Sequence, residues 1–278
     1  MQIRAQSLVE GILSGLHRSP HRGGSVEFAE YVEYTPGQEI RHIDWKVYAK
    51  SDKYYVKQFQ DETNLRAYLV VDGSGSMDFA SEDAPLTKLR YVSFLAATFA
   101  YLFLRQGDAV GALEHDADGH QFLPASSKRS HLEDIFWVLE HLAATGAMEL
   151  GDALRSVAER VRPRSLIMLF SDMLDADADV LGLLQVLRKR NYEVAVFHAI
   201  DPAEMTLPYE GMTQFEGLED DGNLVVDPDD LRDRYRETFR NHCAEVRRAC
   251  EEANLEYVRF LTTEPIEEVA LRFLRGRI

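Results

Sequence analysis

Cysteine is scarce in this chain: Cys243 and Cys250 are the only two among 278 residues. Two thiols exclude a disulfide-built scaffold and a four-thiolate zinc centre. They sit seven residues apart in a helix-patterned stretch, so about 10 Å separates them along the axis. That is too far to bridge, and both are expected as reduced core thiols. Long apolar runs are missing as well. The longest, Val92 to Leu104, has 13 residues and is interrupted by Ser93, Thr98 and Tyr101, short of the roughly 20 a bilayer span requires. No charged segment followed by an apolar one opens the chain, so a soluble, cytoplasmic protein is expected. Positive charge is in short supply, with 31 Lys and Arg against 47 Asp and Glu, a net of −16. Such a chain is poorly suited to nucleic acid or anionic membranes, because phosphate contacts need cations. It suits basic or metal-bearing partners instead. There is no Gly-x-x-x-x-Gly-Lys-Ser/Thr phosphate loop, no His-Glu-x-x-His and no Gly-x-Ser-x-Gly elbow. The nine His residues show no ligand spacing, and His198 reads as a satisfied core residue.

What remains is ordinary globular material, 45% hydrophobic and 28% charged, enough for a sizeable core. Charge is uneven. Residues 1–64 hold 8 Lys/Arg and 9 Asp/Glu, whereas the rest hold 23 and 38. We therefore expect two parts, an N-terminal helix and β-arm over 1–64 and a main domain over 65–278. In the first part, Leu8, Ile12, Leu13 and Leu16 fall at helical spacing, and strand-like stretches surround Tyr31 and Tyr55. From Leu65 the pattern changes. Tyr68-Leu69-Val70-Val71 and Leu166-Ile167-Met168-Leu169-Phe170 are continuous apolar runs of the kind buried on both faces of a parallel sheet. Helical patterns follow each of them. Alternating strands and helices predict an α/β fold with a mostly parallel sheet. Glu219-Asp220-Asp221-Gly222-Asn223, between two short apolar runs, predicts a hairpin or turn. Asp227-Pro228-Asp229 predicts a helix start.

The first buried strand ends in Asp72-Gly73-Ser74-Gly75-Ser76, and the other long apolar strand ends in Asp172. Ligands of open α/β sheets bind at the carboxyl edge of the strands. A carboxylate and two hydroxyls spaced by glycines bring three oxygens to one spot. Hard cations such as Mg²⁺ take oxygen ligands in near-octahedral geometry and keep several waters. With both strands central, Asp172 joins Asp72, Ser74 and Ser76 above one sheet edge. The competing reading makes Ser74 and Ser76 helix caps and Asp72 an acceptor of backbone hydrogen bonds.

Asp72-Gly73-Ser74-Gly75-Ser76 with Asp172 resembles the metal-ion-dependent adhesion site (MIDAS) of von Willebrand factor A domains. Upstream, Glu27-Phe28, the run Tyr34-Thr35-Pro36-Gly37-Gln38-Glu39-Ile40-Arg41-His42-Ile43-Asp44-Trp45 and Ala49-Lys50 resemble the bacterial domain-of-unknown-function 58 family. In that family this signature precedes a von Willebrand factor A-like domain. The resemblance implies a Rossmann-like sheet with helices on both faces. It implies a non-enzymatic protein–protein interaction module, Mg²⁺ as cofactor, and a MoxR-type AAA+ ATPase as partner. A protein offering an acidic side chain to the ion is the other implied partner. It also implies a further metal oxygen from a Thr, whose slot here holds Met148, a soft thioether ill suited to Mg²⁺. Thr145 lies three residues upstream and substitutes only if the loop is rearranged, and Glu149 is placed to act through water. Gln38 stands where the family has Asp, and Lys50 where it has Arg.

Other readings stay open. The metal site is degenerate in one, leaving an interaction scaffold. In another, Asp72 is the nucleophile of a phosphatase-like hydrolase, although the acid–base position two residues on holds Ser74. Arg41, Asp44 and Trp45 read better as an internal pair with a packed ring than as a contact surface. The acidic segment 216–233 reads as a solvated face, or as a steering patch for a basic partner.

Overall fold

The computed structural model describes residues 1, 4, 5, 7–10, 12, 31–33, 48, 54–57, 65–116, 119–144, 150–218 and 222–276. Its contacts divide the chain into two compact units, Met1–Ser19 with Leu65–Ile278, and Pro20–Asn64. One division coincides with the expected boundary at Asn64. The opening stretch, expected to go with the arm, instead groups with the main unit. The reason is its apolar face: Ala5, Leu8 and Ile12 are buried in the larger unit's core.

In the smaller unit, β1 (Tyr31–Glu33) pairs antiparallel with β2 (Tyr55–Lys57), Val32 opposite Val56. Tyr48 stacks on Tyr54 with ring centroids 4.4 Å apart. Arg41, Asp44 and Trp45, together with Gln38 and Lys50, lie outside the described residues.

The larger unit is built on a six-stranded sheet of β3 (Arg66–Val71), β4 (Ala109–Asp116), β5 (Gly119–Ser126), β6 (Leu166–Ser171), β7 (Glu193–Ile200) and β10 (Glu256–Leu261). Its strand order is β10-β7-β6-β3-β4-β5. Every neighbouring pair is parallel except the hairpin-like β4–β5 edge. The helices are α1 (Lys88–Gln106), α2 (His131–His141), α3 (Leu150–Arg160), α4 (Ala178–Lys189), α5 (Pro202–Thr206), α6 (Pro228–Glu252) and α7 (Ile266–Arg275). Side chains alternate across a strand, so β3 sends Leu69 and Val71 to one core and Tyr68 and Val70 to the other. On the first face lie α1, α2, α7 and the N-terminal stretch. There Phe99, Phe170, Phe197 and Phe273 form one aromatic cluster, with Phe170 and Phe197 stacked at 4.7 Å. The second face takes α3, α4 and α6. Both faces being covered explains why all six residues of β6 are buried and why that run was continuous in the sequence. Among the described residues, no helix is long and apolar enough to cross a membrane.

Several local expectations fall on described residues. β8 (Thr213–Glu216) and β9 (Asn223–Val226) form the hairpin, and Asp227 caps α6 by accepting from the Asp229 amide at 3.1 Å, with Pro228 in the first turn. Cys243 and Cys250 are free and buried on α6. His198 is fully buried and its Nδ1 lies 2.7 Å from the Tyr257 hydroxyl, but its buried Nε2 has no hydrogen-bond partner among the described residues, so the expected satisfied core residue is satisfied at one nitrogen only. Burial pushes its pKa down to about 3, so it is neutral near pH 7. The short α5 had no counterpart in the sequence reading.

Gly111 marks a register shift of the β4–β5 pair between Val110 and Ala112. A Cβ there would lie 2.7 Å from both the Leu123 carbonyl oxygen and the Tyr68 ring. The ring is itself stacked on Phe122. Gly111→Ala should therefore cost about 1–3 kcal/mol through overpacking, read as a lower midpoint in urea denaturation. An unchanged midpoint would show that the ring and carbonyl yield freely.

Candidate metal centre

β3 and β6 are adjacent and in register, with Val71 beside Phe170. The connection leaving β3 turns to β4 and that leaving β6 turns to β7. The carboxyl edge between them is thus the switch point of the sheet, where an open crevice forms. Asp72 and Asp172 are the residues that follow these two strands. Both are buried, as is Ser74.

The loop after β3 folds back on its own carboxylate. Asp72 Oδ1 accepts from the Ser74 amide at 2.9 Å, and Gly75–Asp78 form a single 3-10 turn. This presents Ser74 Oγ 3.1 Å from Ser76 Oγ. Ser76 Oγ in turn donates to Asp172 Oδ2 at 2.8 Å. Across the strands, Ser171 Oγ donates to Asp72 Oδ2 at 2.6 Å and accepts from the Met173 amide at 2.9 Å. Asp72, Ser74, Ser76 and Asp172 are therefore brought together as the sequence implied. Ser74 makes no side-chain cap to the 3-10 turn that follows it. Thr145, Met148 and Glu149 lie outside the described residues.

Three participants were not legible as site residues. Lys88, the first residue of α1, is fully buried. Its ammonium donates to Asp172 Oδ2 at 2.6 Å and to Glu204 Oε1. Glu204 belongs to a capping box: Asp201 Oδ1 accepts from the Ala203 amide at 2.9 Å, while Glu204 Oε2 accepts from the Asp201 amide at 2.7 Å. Asp201 Oδ2 also accepts from the Ser81 amide at 3.0 Å, tying α5 to the loop before α1. Signals for both did exist. Lys88 falls on the apolar stripe of α1 with Val92, Leu95 and Phe99, an unusual place for a cation. Asp201-Pro202-Ala203-Glu204 carries the capping-box spacing. Ser171 had none, because its role depends on the neighbouring strand.

The electrostatics divide the two aspartates. Burial, then the Asp172 charge, raises Asp72 to a pKa of about 6, against hydrogen bonds from Ser171 and Ser74 that lower it. Burial pushes Asp172 upward too, but the Lys88 ammonium, with hydrogen bonds from Lys88 and Ser76, holds it below the usual carboxylate range. Burial leaves Glu204 raised despite the same ammonium. Burial pushes the Lys88 ammonium downward, but the charges of Asp172 and Glu204 and the hydrogen bonds to them hold it above its ordinary value, so it is a fixed cation.

The donor set fits a hard dication. Among the described residues no group of three or more His, Cys, Asp or Glu could hold a metal ion, so the candidate donors are two carboxylates and two hydroxyls. Two carboxylates and two hydroxyls match Mg²⁺, which keeps waters. Ligands about 2.1 Å from an octahedral ion lie about 3.0 Å apart along each edge. The 3.1 and 2.8 Å separations at Ser76 match that edge, and they equally serve hydrogen bonds. Asp172 Oδ2 is already shared between Ser76 and Lys88.

The sequence profile of a family described as "Protein of unknown function DUF58" matches residues 30–246. Uncharacterized proteins of Mycobacterium tuberculosis (strain ATCC 25618 / H37Rv) and Mycobacterium bovis are each 26% identical over 253 residues, 89% of this chain and 78% of their own length. Among solved structures, the conserved hypothetical protein BatB from Bacteroides thetaiotaomicron superposes with a TM-score of 0.50 at 15% identity, covering 76% of this chain and 98% of that one. An aerotolerance-related membrane protein from Bacteroides fragilis NCTC 9343 superposes with the same score of 0.50 at 16% identity, covering 77% and 100%. These likenesses are of fold, and the fold is the mostly parallel α/β sheet with helices on both faces that the sequence implied.

Two outcomes follow from the charges. Lys88→Met leaves Asp172 and Glu204 buried without their cation, and should cost about 3–5 kcal/mol of unfolding free energy. A loss below about 1 kcal/mol would mean that water enters and replaces the ammonium. With chelator present, the folded state holds the Asp72 proton to about pH 6, whereas the unfolded chain releases it near pH 4. Stability contributed by that proton is present below pH 4 and lost as pH rises to 6. Wild type should therefore lose about 3 kcal/mol relative to Asp72→Asn across that window. Parallel stability curves for the two proteins would contradict the raised pKa.

Proposed function

We propose that this chain, which belongs to the DUF58 family of proteins of unknown function, is a non-enzymatic, cytoplasmic interaction module of the metal-ion-dependent adhesion type. The observation that carries this reading is the convergence of Ser74, Ser76 and Asp172 oxygens at one point of the switch crevice, with Asp72 behind them. Ser74 and Ser76 hold Mg²⁺, and Asp72 and Asp172 neutralise it directly or through water. The bound ion supplies an open coordination position for a carboxylate from the partner. This chain's own residues set the rest: Ser171 orients Asp72, and Lys88 fixes Asp172 so that its charge faces the crevice. Lys88 also lowers the negative charge around the ion, which makes binding looser and dependent on free Mg²⁺. By family resemblance, the partner is a MoxR-type AAA+ ATPase, for which the module is an adaptor. Against hydrolysis of phosphate esters stands Asp72 itself: both its oxygens already accept hydrogen bonds, and Ser74 occupies the place of a second acid.

A second reading draws on Lys88. Its ammonium already sits on Asp172, so the cluster has a cation of its own, and an interaction scaffold without metal remains consistent with that pair.

The test is capture of the purified, nucleotide-free MoxR-type ATPase of the same genome, with Mg²⁺ or with chelator. Metal-dependent docking predicts at least about tenfold weaker capture on chelation and in Asp72→Ala or Ser76→Ala, with native circular dichroism retained. Equal capture by wild type and both variants, with and without chelator, would contradict the metal mechanism and favour the scaffold.

A further inference from the structure

Beside the crevice lies an apolar surface that the metal reading does not use. A cavity of about 380 Å³ opens next to Ser76 and Glu204 and is walled by Phe79, Leu174, Phe215 and Tyr235. A second, of about 390 Å³, lies between the β8–β9 hairpin and α6, walled by Leu224, Val226, Leu231 and Tyr235. The two share Leu207, Phe215 and Tyr235, so they form one groove leading away from the candidate metal centre. Its hairpin is built to display apolar groups. Leu224 and Val225 are 57% and 56% exposed, Leu218 48%, and Leu231 on α6 40%. Exposed apolar area on this scale marks an interaction surface, and a two-stranded hairpin is at best marginal on its own. The groove is nevertheless held in place. Arg232 donates to the carbonyls of Leu207 at 2.9 Å and Tyr209 at 2.6 Å, and Arg236 donates to that of Thr206 at 2.8 Å. These bonds pin the segment leading to β8 against α6, so the walls are preorganised.

Charge identifies what fits. From Glu204 to Asp233 the sequence carries ten Asp and Glu against one basic residue, Arg232. That arginine is spent on carbonyls and on Asp229. Asp175, Glu204 and Glu216 line the first cavity, and among the described residues Arg234, in the second, is the one cationic wall residue. An apolar trough with such a rim selects apolar anchors flanked by positive charge and rejects an acidic counterpart.

We propose that this groove docks a cationic amphipathic segment of a protein partner. Leucine- or phenylalanine-sized side chains enter the two cavities, and flanking Lys or Arg side chains meet the acidic rim. The contact needs no ion at Asp72, so it stands or falls separately from the metal reading. If both hold, a single partner engages the metal centre and the groove side by side.

The probes are fluorescent peptides with leucines at helical (i, i+3, i+4, i+7) or alternating spacing, each made with flanking Lys and again with flanking Glu. Anisotropy is measured on the full chain in chelator. One of the Lys peptides should bind, at least about tenfold tighter than its Glu twin, and weaken as salt rises. Leu224→Ser and Leu231→Ser, both at exposed positions, should each reduce that affinity several-fold. Trp137→Ser, exposed on α2 at a site remote in the fold, should not. Glu216→Lys should erase the preference for Lys over Glu. Equal binding of both twins, no binding of either Lys peptide, or a Trp137→Ser effect as large as that of Leu224→Ser would overturn the proposal. So would a concentration-dependent dimer abolished by Leu224→Ser, which would assign the groove to a second copy of the chain.

Discussion

The site is organised by a single buried cation. Lys88 carries no exposed surface, and its ammonium rests on Asp172 and Glu204. Removing a charge from water is costly, and a carboxylate partner offsets that only with good geometry. Here two carboxylates share the ammonium, and both are fixed by backbone amides: Asp172 by Leu174 and Glu204 by Asp201. The arrangement locks three distant pieces of chain together, the start of α1, the end of β6 and the start of α5. It also sets the charge of the crevice. Two buried acids against one ammonium leave a deficit of positive charge, and Asp72, behind the serines, adds to the excess that a further cation would neutralise.

The position of the crevice follows from the sheet. A parallel sheet buried on both faces leaves only its ends for chemistry, and the reversal of strand order between β3 and β6 opens one of those ends. Short residues are required there. Gly73, Ser74, Gly75 and Ser76 let the loop turn tightly enough for its hydroxyls to approach Asp172 across the strand gap. Bulky chains begin one step further out, with Phe79 and Leu174 as walls of the adjoining cavity. The polar point and the apolar groove are therefore consecutive parts of one surface at the same sheet end.

The sequence disclosed most of this frame for a physical reason. β6 was legible because burial on both faces leaves an uninterrupted apolar run, and α1 because its stripe runs from Leu89 to a glycine stop at Gly107, whose φ is +90°. Asp72, Ser74, Ser76 and Asp172 were legible because strand ends and glycine spacing are local signals. The partners of the site were not. Lys88 meets Asp172 across 84 residues and Glu204 across 116, and no local pattern encodes such pairings. The five-residue α5 is too short to show a period. The opening stretch advertised an apolar face but not which core would receive it, so it was grouped with the arm rather than with the sheet it covers.

The central claim is that a hard dication sits among these oxygens. Crystals grown with Mn²⁺ in place of Mg²⁺ test it most directly, through the anomalous signal of the ion. A peak is expected within bonding distance of Ser74 Oγ and Ser76 Oγ, with Lys88 still on Glu204. The same crystals showing no peak, and the Lys88 ammonium as the only cation between the serines and Asp172, would contradict it.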